Sequence, residues 1–416
     1  MYNVDRAFKL LKEISFERLG GSKEELEAAK IIQEVIKNAG FESHLEEFEV
    51  DYSEVKEAKL IVNGKEIPCT GVKMSGSTCG TLTKKFIYVE DCQDVNLIDC
   101  EDKIVLINGR MMLKAYKKLV ERKVAGFISY SGSVYDQEET SDLNETSIRE
   151  VMYQHGKIPG VNIRALDAQK LILENPDQVS ITLTQEEGKA ISRNVVCEIE
   201  GTTHKEEKIA ITAHYDSVRF STGAYDNASG SVGIMELFHY FSKNRPQRTL
   251  VFIWCGSEEM GLLGSKDYCS KHEEELKQFV FCLNVDMIGV VLGKEIACCT
   301  SDISLVNYIN YLGKEIGIAI NARQGVYSSD STPFADKGVP SVSFARLPSS
   351  GGAEIHSRKD VLDHMDKKAF ASSLTIMIEF LKRMDGSVLF PVPKVIPENM
   401  KLELDYYNAR KDRPEK

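Results

Sequence analysis

Apolar and polar residues follow two alternating patterns in the second half of the chain. From Asn194 onward, short and almost continuously apolar runs are each followed by a longer segment with apolar residues every three or four positions. The runs predict strands buried on both faces, at 208–213, 249–255, 279–285 and 341–345. The periodic segments predict amphipathic helices at 230–243, 305–316 and 367–384. This alternation predicts an α/β fold, with three α/β/α layers around a doubly wound, mostly parallel sheet.

Two further amphipathic helices are predicted at the start of the chain. Val4, Phe8 and Leu11 have helical spacing in the first of them. Ser22 and Glu25 form a capping box ahead of the second, in which Ser22 bonds the amide near Glu25 and Glu25 reaches back. Gly40 then stands where that helix would end.

Between these two regions the pattern changes to short strand-like runs separated by Gly, Ser, Asn and acidic turns. We therefore expect a smaller β-rich α+β domain at 51–190, inserted into a larger domain that consists of 1–50 and 191–390. An acidic, Ser/Thr-rich stretch at 135–146 is typical of an exposed loop. Three prolines and a charged end predict a tail at 391–416, laid on the surface or partly disordered.

Composition narrows the function classes. Lys and Arg number 52 against 63 Asp and Glu, a net charge of −11, and no basic run is interleaved with aromatic residues. Nucleic acid and anionic membranes are therefore not expected as partners. The chain lacks a signal-peptide pattern at its start and an apolar window long enough to span a bilayer, and its 10 cysteines show no CxxC pairs. These features predict a cytoplasmic protein with free thiols.

Chemically active side chains follow three of the predicted strands. His214 and Asp216 end the first strand, Glu258 and Glu259 follow the second, and Asp286 directly follows the third. Because the carboxyl ends of parallel strands open into one shared crevice, these side chains should lie on one rim of the sheet.

Two glycine-containing loops, 223–230 and 353–357, add Asp226 and His356. Imidazole nitrogens together with carboxylate oxygens are the ligands that borderline divalent ions prefer, and one carboxylate can bridge two ions. A pair of ions roughly 3.5–4 Å apart can acidify a shared water and polarise a carbonyl group. The sequence thus predicts a pair of divalent metal ions.

Five segments, in this order, carry a resemblance to a known family: HYDS, GAYDNASG, SEEMGLLGS, LNVDMIG and EIHSRKD. They resemble the zinc aminopeptidases related to bacterial leucyl aminopeptidase, glutamate carboxypeptidase and the transferrin receptor. The resemblance covers about 190–385 and the two opening helices. It implies that 1–50 and 191–390 form a zinc-peptidase domain.

The resemblance also implies how the metal ions are held. His214 and Asp286 would hold one ion, Glu259 and His356 would hold the other, and Asp226 would bridge both. This set of ligands implies a dizinc exopeptidase of the aminopeptidase type, whose substrates are peptides with a free amino terminus.

Three further roles follow from the same resemblance. Glu258 would be the general base, and Asp216 would orient the imidazole of His214 by accepting its other N–H. Some relatives have a tyrosine directly before the last metal-binding histidine, but here that position is Ile355. Tyr327 is our candidate for the oxyanion donor instead.

The middle segment resembles the protease-associated domain that is often inserted in this family. Its marks are the strand-like runs 102–107 and 124–128 and the Ile-Pro-Gly-Val at 158–161. In the family such a module shapes the entrance to the active site.

Other functions on the same framework remain open at this point. A carboxypeptidase or an aminoacylase-type amide hydrolase would use the same dimetal site. A non-catalytic binding homologue is expected to lose ligands, and a glutaminyl cyclase with one zinc is expected to lack the first histidine, whereas His214 is present. A homo-oligomer also stays open.

Overall fold

The computed structural model describes residues 2–137 and 143–413, which divide into two compact units. The first unit comprises Met1–Val50 and Ile191–Lys416, and the second comprises Asp51–Ala190. Residues 138–142 of the predicted loop lie outside the described residues.

Strands and helices are numbered in chain order. The strands are β1 (His44–Val62), β2 (Lys65–Ile67), β3 (Thr70–Gly71), β4 (Leu82–Val89), β5 (Ile104–Ile107), β6 (Gly126–Ser131), β7 (Gly160–Arg164), β8 (Gln178–Ile199), β9 (His204–His214), β10 (Arg248–Cys255), β11 (Phe279–Val285), β12 (Gly293–Thr300), β13 (Ile320–Gln324) and β14 (Ser341–Pro348). The helices are α1 (Val4–Ile14), α2 (Lys23–Asn38), α3 (Leu113–Glu121), α4 (Glu150–Tyr153), α5 (Ala165–Glu174), α6 (Ser229–Lys243), α7 (Leu263–Lys271), α8 (Ile303–Ile316), α9 (Ser331–Asp336), α10 (Lys367–Asp385) and α11 (Glu398–Tyr407).

The sheet of the first unit is mostly parallel, as predicted. Its strand order is β13-β12-β14-β11-β9-β10-β8, where the last strand contributes its carboxyl-terminal part. The pairs β10·β9, β9·β11, β11·β14 and β12·β13 are parallel, whereas β12·β14 and β8·β10 are antiparallel. His214 pairs with Cys255 across β9 and β10, so both strands end at the same edge.

Helices cover both faces of this sheet, which confirms the predicted three layers. Phe252 and Leu250 of β10 point into a core formed with α1, α2, α6, α8 and α10. Val251 and Ile253 of the same strand point into the opposite core, formed with α7 and α9. Alternate residues of one strand therefore bury opposite faces, because side chains of an extended backbone alternate in direction.

The start of α2 shows how local chemistry fixes an element. The Ser22 hydroxyl accepts the amide hydrogen of Glu25 at 3.0 Å, as expected of an N-cap. The carboxylate of Glu25 accepts the amide of Gly21 at 2.9 Å and the hydroxyl of Ser192 at 2.6 Å. Glu25 thus reaches back to the amide of Gly21, one residue before the amide of Ser22 that the standard capping box uses, and its other carboxylate oxygen bonds β8.

The second unit has its own sheet and cores. Strands β4, β5, β6 and β7 pair in parallel, and the antiparallel pairs β4·β8 and β3·β7 flank them. Leu119 of α3 lies in the core on one face, and Leu171 of α5 lies in the core on the other. This unit is therefore an α+β structure with a short parallel centre.

The segment predicted as a tail contains α11. Met400 and Leu404 are buried with Ile396 and with Ala335 of α9. Met400 and Leu404 are four positions apart and therefore lie on one face of α11. The prolines precede the helix, and Pro397 immediately before it has a φ of −60° that suits a helix start.

Among the described residues, none of the helices has both the length and the apolar character that a membrane span requires.

Candidate metal centre

The five predicted metal ligands converge at the carboxyl edge of the first unit's sheet. Their ligand atoms form two groups, each with all atoms within 4.8 Å of one another. One group consists of His214, Asp226 and Asp286, and the other consists of Asp226, Glu259 and His356. Asp226 belongs to both groups, which is the arrangement that a bridging carboxylate requires.

The two oxygens of Asp226 face different imidazoles. Oδ1 lies 3.2 Å from Nε2 of His214, and Oδ2 lies 3.2 Å from Nε2 of His356. Nε2 of His214 is 3.6 Å from Oδ1 of Asp286, and Nε2 of His356 is 3.0 Å from Oε1 of Glu259. Each end of Asp226 therefore meets one imidazole and lies beside one further carboxylate.

Strand ends and tight turns place these side chains. His214 is the last residue of β9, and the amide of Asp286 extends the β11 ladder by donating to Phe344 O at 3.0 Å. His356 has a φ of +58°, which is uncommon for a residue other than glycine. A non-glycine residue held in this region indicates that the surrounding structure constrains it, as is common at functional sites.

Asn227 ties the turn of the bridging ligand to β11. Its amide nitrogen donates to Val285 O at 3.0 Å, and its Oδ1 accepts the amides of Met287 at 3.0 Å and Gly230 at 2.9 Å. The peptide bond between Asp226 and Asn227 is cis. Asn227 thus fixes Asp226 relative to the strand that carries Asp286.

Asp216 connects the first histidine to the Glu258-Glu259 pair. It is fully buried, and its Oδ1 lies 3.3 Å from Nδ1 of His214. Its two oxygens accept the backbone amides of Glu258 at 3.0 Å and Glu259 at 3.2 Å. One carboxylate therefore contacts the ring of one predicted ligand and holds the backbone of another.

Glu258 is beside the two groups but belongs to neither. Its Oε2 lies 3.9 Å from Nε2 of His214, and the residue is only 9% exposed. Burial, with the nearby Glu259 and Asp286 carboxylates, raises the pKa of Glu258 well above its usual range, and His214 opposes the rise.

The two ligand groups bring acidic side chains and imidazoles together at a largely buried place. Burial raises the pKa of Glu259 and Asp286 as well. Burial works against a charged His356, yet Asp226 and Glu259 raise its pKa to about 11. Oδ1 of Asp286 is buried without a hydrogen-bond partner among the described residues. The three carboxylates and two imidazoles of the ligand groups therefore fit a pair of divalent cations, which would compensate the negative charge of the carboxylates.

The two residues connected with oxyanion stabilisation are both partly buried. Ile355 packs against the main core of the first unit, so it contributes an apolar surface and no donor. Burial, followed by the charges of Asp286 and Asp226, raises the pKa of the Tyr327 phenol. The phenol therefore stays protonated and able to donate a hydrogen bond at neutral pH.

Asp330 and Asp360 are functional candidates that the sequence analysis did not single out. Asp360 accepts the amides of Tyr225 at 2.7 Å and Asp226 at 3.1 Å, and burial raises its pKa to about 6. Asp330 is fully buried and accepts the hydroxyl of Ser265 at 2.6 Å, and burial raises its pKa to about 7. The sequence did contain a signal for Asp360, because this residue ends the segment EIHSRKD, four residues after His356.

Known proteins share this fold and parts of this sequence. Aminopeptidase YwaD of Bacillus subtilis (strain 168) is 29% identical over 287 residues, which cover 65% of this chain and 60% of that protein. A vacuolar membrane protease of Saccharomyces cerevisiae (strain YJM789) is 35% identical over 139 residues, which cover 33% of this chain and 14% of that protein. The chain thus spans less than two thirds of the length of these curated relatives.

The fold comparison covers nearly the whole chain. The solved structure of BSAP, a zinc aminopeptidase from Bacillus subtilis, superposes with a TM-score of 0.76 at 23% sequence identity. The superposition covers 91% of this chain and 95% of that one.

Residues 194–381, which contain all five predicted ligands, match the sequence model of Peptidase family M28.

Proposed function

We propose that this protein is a two-zinc aminopeptidase that removes amino-terminal residues from peptides. The observation that carries the proposal is Asp226, whose two oxygens face His214 and His356, with Glu258 beside them. The match to the M28 peptidase family and the likeness to zinc aminopeptidases support the same chemistry.

The residues present define how two ions would be held. His214 and Asp286 would bind one ion, Glu259 and His356 would bind the other, and Asp226 would bridge them. When bound, the ions would lower the pKa of a shared water and polarise the scissile carbonyl.

Glu258 is the proposed general base. Its buried carboxylate would accept the proton of the attacking water and then deliver it to the leaving amine. Its position suits both steps, because it lies outside both ligand groups and 3.9 Å from Nε2 of His214, beside the place where the ions would bind. The Tyr327 hydroxyl is the proposed donor to the oxyanion.

Three other assignments stay predictions from the sequence. They are the protease-associated character of the second unit with its influence on substrate entry, the cytoplasmic location, and the open choice between monomer and homo-oligomer.

A substrate panel tests the proposed specificity. We expect zinc-loaded protein to hydrolyse leucine p-nitroanilide and free-amine peptides, and to leave the same compounds untouched when their amino group is acetylated. Release of the carboxy-terminal residue from acetylated peptides would instead indicate a carboxypeptidase. Hydrolysis of acetyl-leucine would indicate an aminoacylase.

Asp216→Asn is expected to lower zinc affinity or kcat by roughly 10–100-fold, the usual cost of losing a group that orients a metal ligand. The amide can accept only one of the two backbone amide hydrogens that Asp216 accepts now. Competition with a zinc-binding indicator, together with steady-state kinetics, measures the two effects.

Asp385→Asn is the matched control for this variant. Asp385 is also a buried aspartate that accepts two consecutive backbone amides, those of Gln247 and Arg248, but at the start of β10. This control should lose stability and keep zinc affinity. Wild-type affinity and turnover in Asp216→Asn would refute the role assigned to Asp216.

A further inference from the structure

Arg18 is a fully buried arginine whose side chain bonds only backbone carbonyls in the hydrogen bonds found among the described residues. It follows α1 directly, in a segment without regular structure. One terminal nitrogen donates to Phe16 O at 2.8 Å and to Thr222 O at 2.6 Å, and the other donates to Gly223 O at 2.9 Å. Nε donates to Tyr215 O.

Three of these carbonyls belong to one segment, 215–223, which joins two predicted metal ligands. His214 immediately precedes the segment, and Asp226 follows it closely. The backbone of Arg18 adds two more bonds to the same segment, because its amide donates to Ser217 Oγ at 3.0 Å and its carbonyl accepts the Ser217 amide at 3.1 Å. Arg18 thus fixes the segment from its first residue to its last.

Asp360 bonds the part of the chain between Thr222 and Asp226. Its carboxylate accepts the amides of Tyr225 and Asp226, and its backbone carbonyl accepts the Thr222 hydroxyl at 2.6 Å. Arg18 bonds the carbonyl of the same threonine. The stretch from Thr222 to Asp226 is therefore held by a guanidinium on its carbonyls and by a carboxylate on its amides.

Placing an arginine here is energetically costly. Removing a charge from water is unfavourable unless the charge is paired and its donors are satisfied. Burial lowers the pKa of Arg18 to about 10, although the carboxylates of Asp216 and Asp360 act in the opposite direction. The planar fork of arginine presents donors in fixed directions, which a lysine ammonium cannot reproduce.

We infer that Arg18 and Asp360 are positioning residues for the metal centre, which together keep His214 and Asp226 at the spacing in which Asp226 can bridge two ions. This inference rests on the proposed function, since it concerns the same dimetal site. Arg18 and Asp360 would raise the metal affinity without contacting an ion, because they bond the backbone that carries His214 and Asp226.

Arg18→Lys tests the inference, with Arg248→Lys as the matched control. Arg248 is also fully buried and donates to the backbone carbonyls of Asp385 at 2.6 Å and Ser387 at 2.8 Å. It lies at the start of β10, at the opposite end of the strands from the ligands. Zinc affinity is measured by competition with a zinc-binding indicator, and the thermal midpoint is measured in EDTA.

We expect Arg18→Lys to bind zinc at least about tenfold more weakly than wild type, within the range found for residues that orient metal ligands. Arg248→Lys should lose thermal stability to a similar degree and keep its zinc affinity within twofold. Wild-type zinc affinity in Arg18→Lys, or an equal loss of affinity in Arg248→Lys, would overturn the inference.

Asp360→Asn keeps the test decisive if Arg18→Lys does not fold. The amide retains one acceptor for the Tyr225 and Asp226 amides, so we expect a folded chain with about tenfold weaker zinc binding. Unchanged zinc affinity in this variant would contradict the inference. Zinc binding and hydrolysis by the wild-type protein test the proposed function separately. If the wild type binds no zinc, the proposed dimetal site is wrong. If the wild type binds zinc and the variants bind it equally well, only the inference about Arg18 and Asp360 is wrong.

Discussion

Replacing Glu258 by Gln should lower kcat by at least about 10²-fold while both metal ions remain bound, since general base catalysis contributes ~10²–10⁴ in rate. The substitution keeps the shape of the side chain and removes its ability to accept a proton. Glu258 lies outside both ligand groups, so the metal site should stay intact. Steady-state kinetics on leucine p-nitroanilide, with elemental analysis of the same sample, measures both quantities.

Glu236→Gln provides the control for this variant. Glu236 is also buried, but it pairs with Arg6 at 2.6 Å and accepts the amide of Asn3 at 2.8 Å, away from the ligand groups. This control should reduce stability and leave kcat unchanged. Near-normal turnover in Glu258→Gln with both ions present would show that another group accepts the proton.

Asp226→Asn should remove at least one of the two ions and, with it, hydrolysis. Each oxygen of Asp226 faces a different imidazole at 3.2 Å, and an amide offers one oxygen and one nitrogen donor in their place. The loss of zinc affinity should exceed the roughly 10–100-fold that follows from removing an orienting group, because a ligand itself is lost. Elemental analysis after dialysis gives the number of ions retained.

Asp385→Asn is the control for Asp226→Asn as well, because Asp385 is a buried aspartate at the start of β10, whereas the ligands lie at the carboxyl edge of the sheet. The control should retain both ions. Two tightly bound ions in Asp226→Asn would mean that this carboxylate does not bridge them.

The sheet and the convergence of the candidate ligands could be predicted because the relevant information is local in the sequence. Continuous apolar runs such as 249–255 identify strands buried on both faces, and His214 or Asp286 at the end of such a run is placed by the strand direction alone. Glu258 and Glu259 are placed in the same way, because they come shortly after the end of the run 249–255. The structure brings these residues together as expected.

The supporting residues were harder to predict, because their roles depend on contacts far apart in sequence. Arg18 bonds carbonyls about two hundred positions later, as in its 2.6 Å contact with Thr222 at a separation of 204. Carbonyl oxygens have no sequence signature, so nothing at 222 or 223 indicates an arginine partner. Asn227 is similar, since its bonds to β11 depend on the packing of that strand beside the turn.

The C-terminal helix illustrates a different difficulty. Three prolines and a charged end favoured a tail, and the sequence analysis did not consider the helical spacing of Met400 and Leu404. The prolines stop before α11 begins, and the charges lie on its exposed side, so neither feature opposes the helix. Here tertiary contact with α9 decided the structure of a segment whose local preference was ambiguous.

Zinc titration of the metal-free protein tests the dimetal assignment most directly. Protein stripped with a chelator and dialysed should take up two zinc ions per chain, and its hydrolysis of leucine p-nitroanilide should appear as zinc is restored. His214→Ala and His356→Ala should each lower the number of bound ions. Binding of no zinc, or two ions bound equally well in both histidine variants, would contradict the assignment.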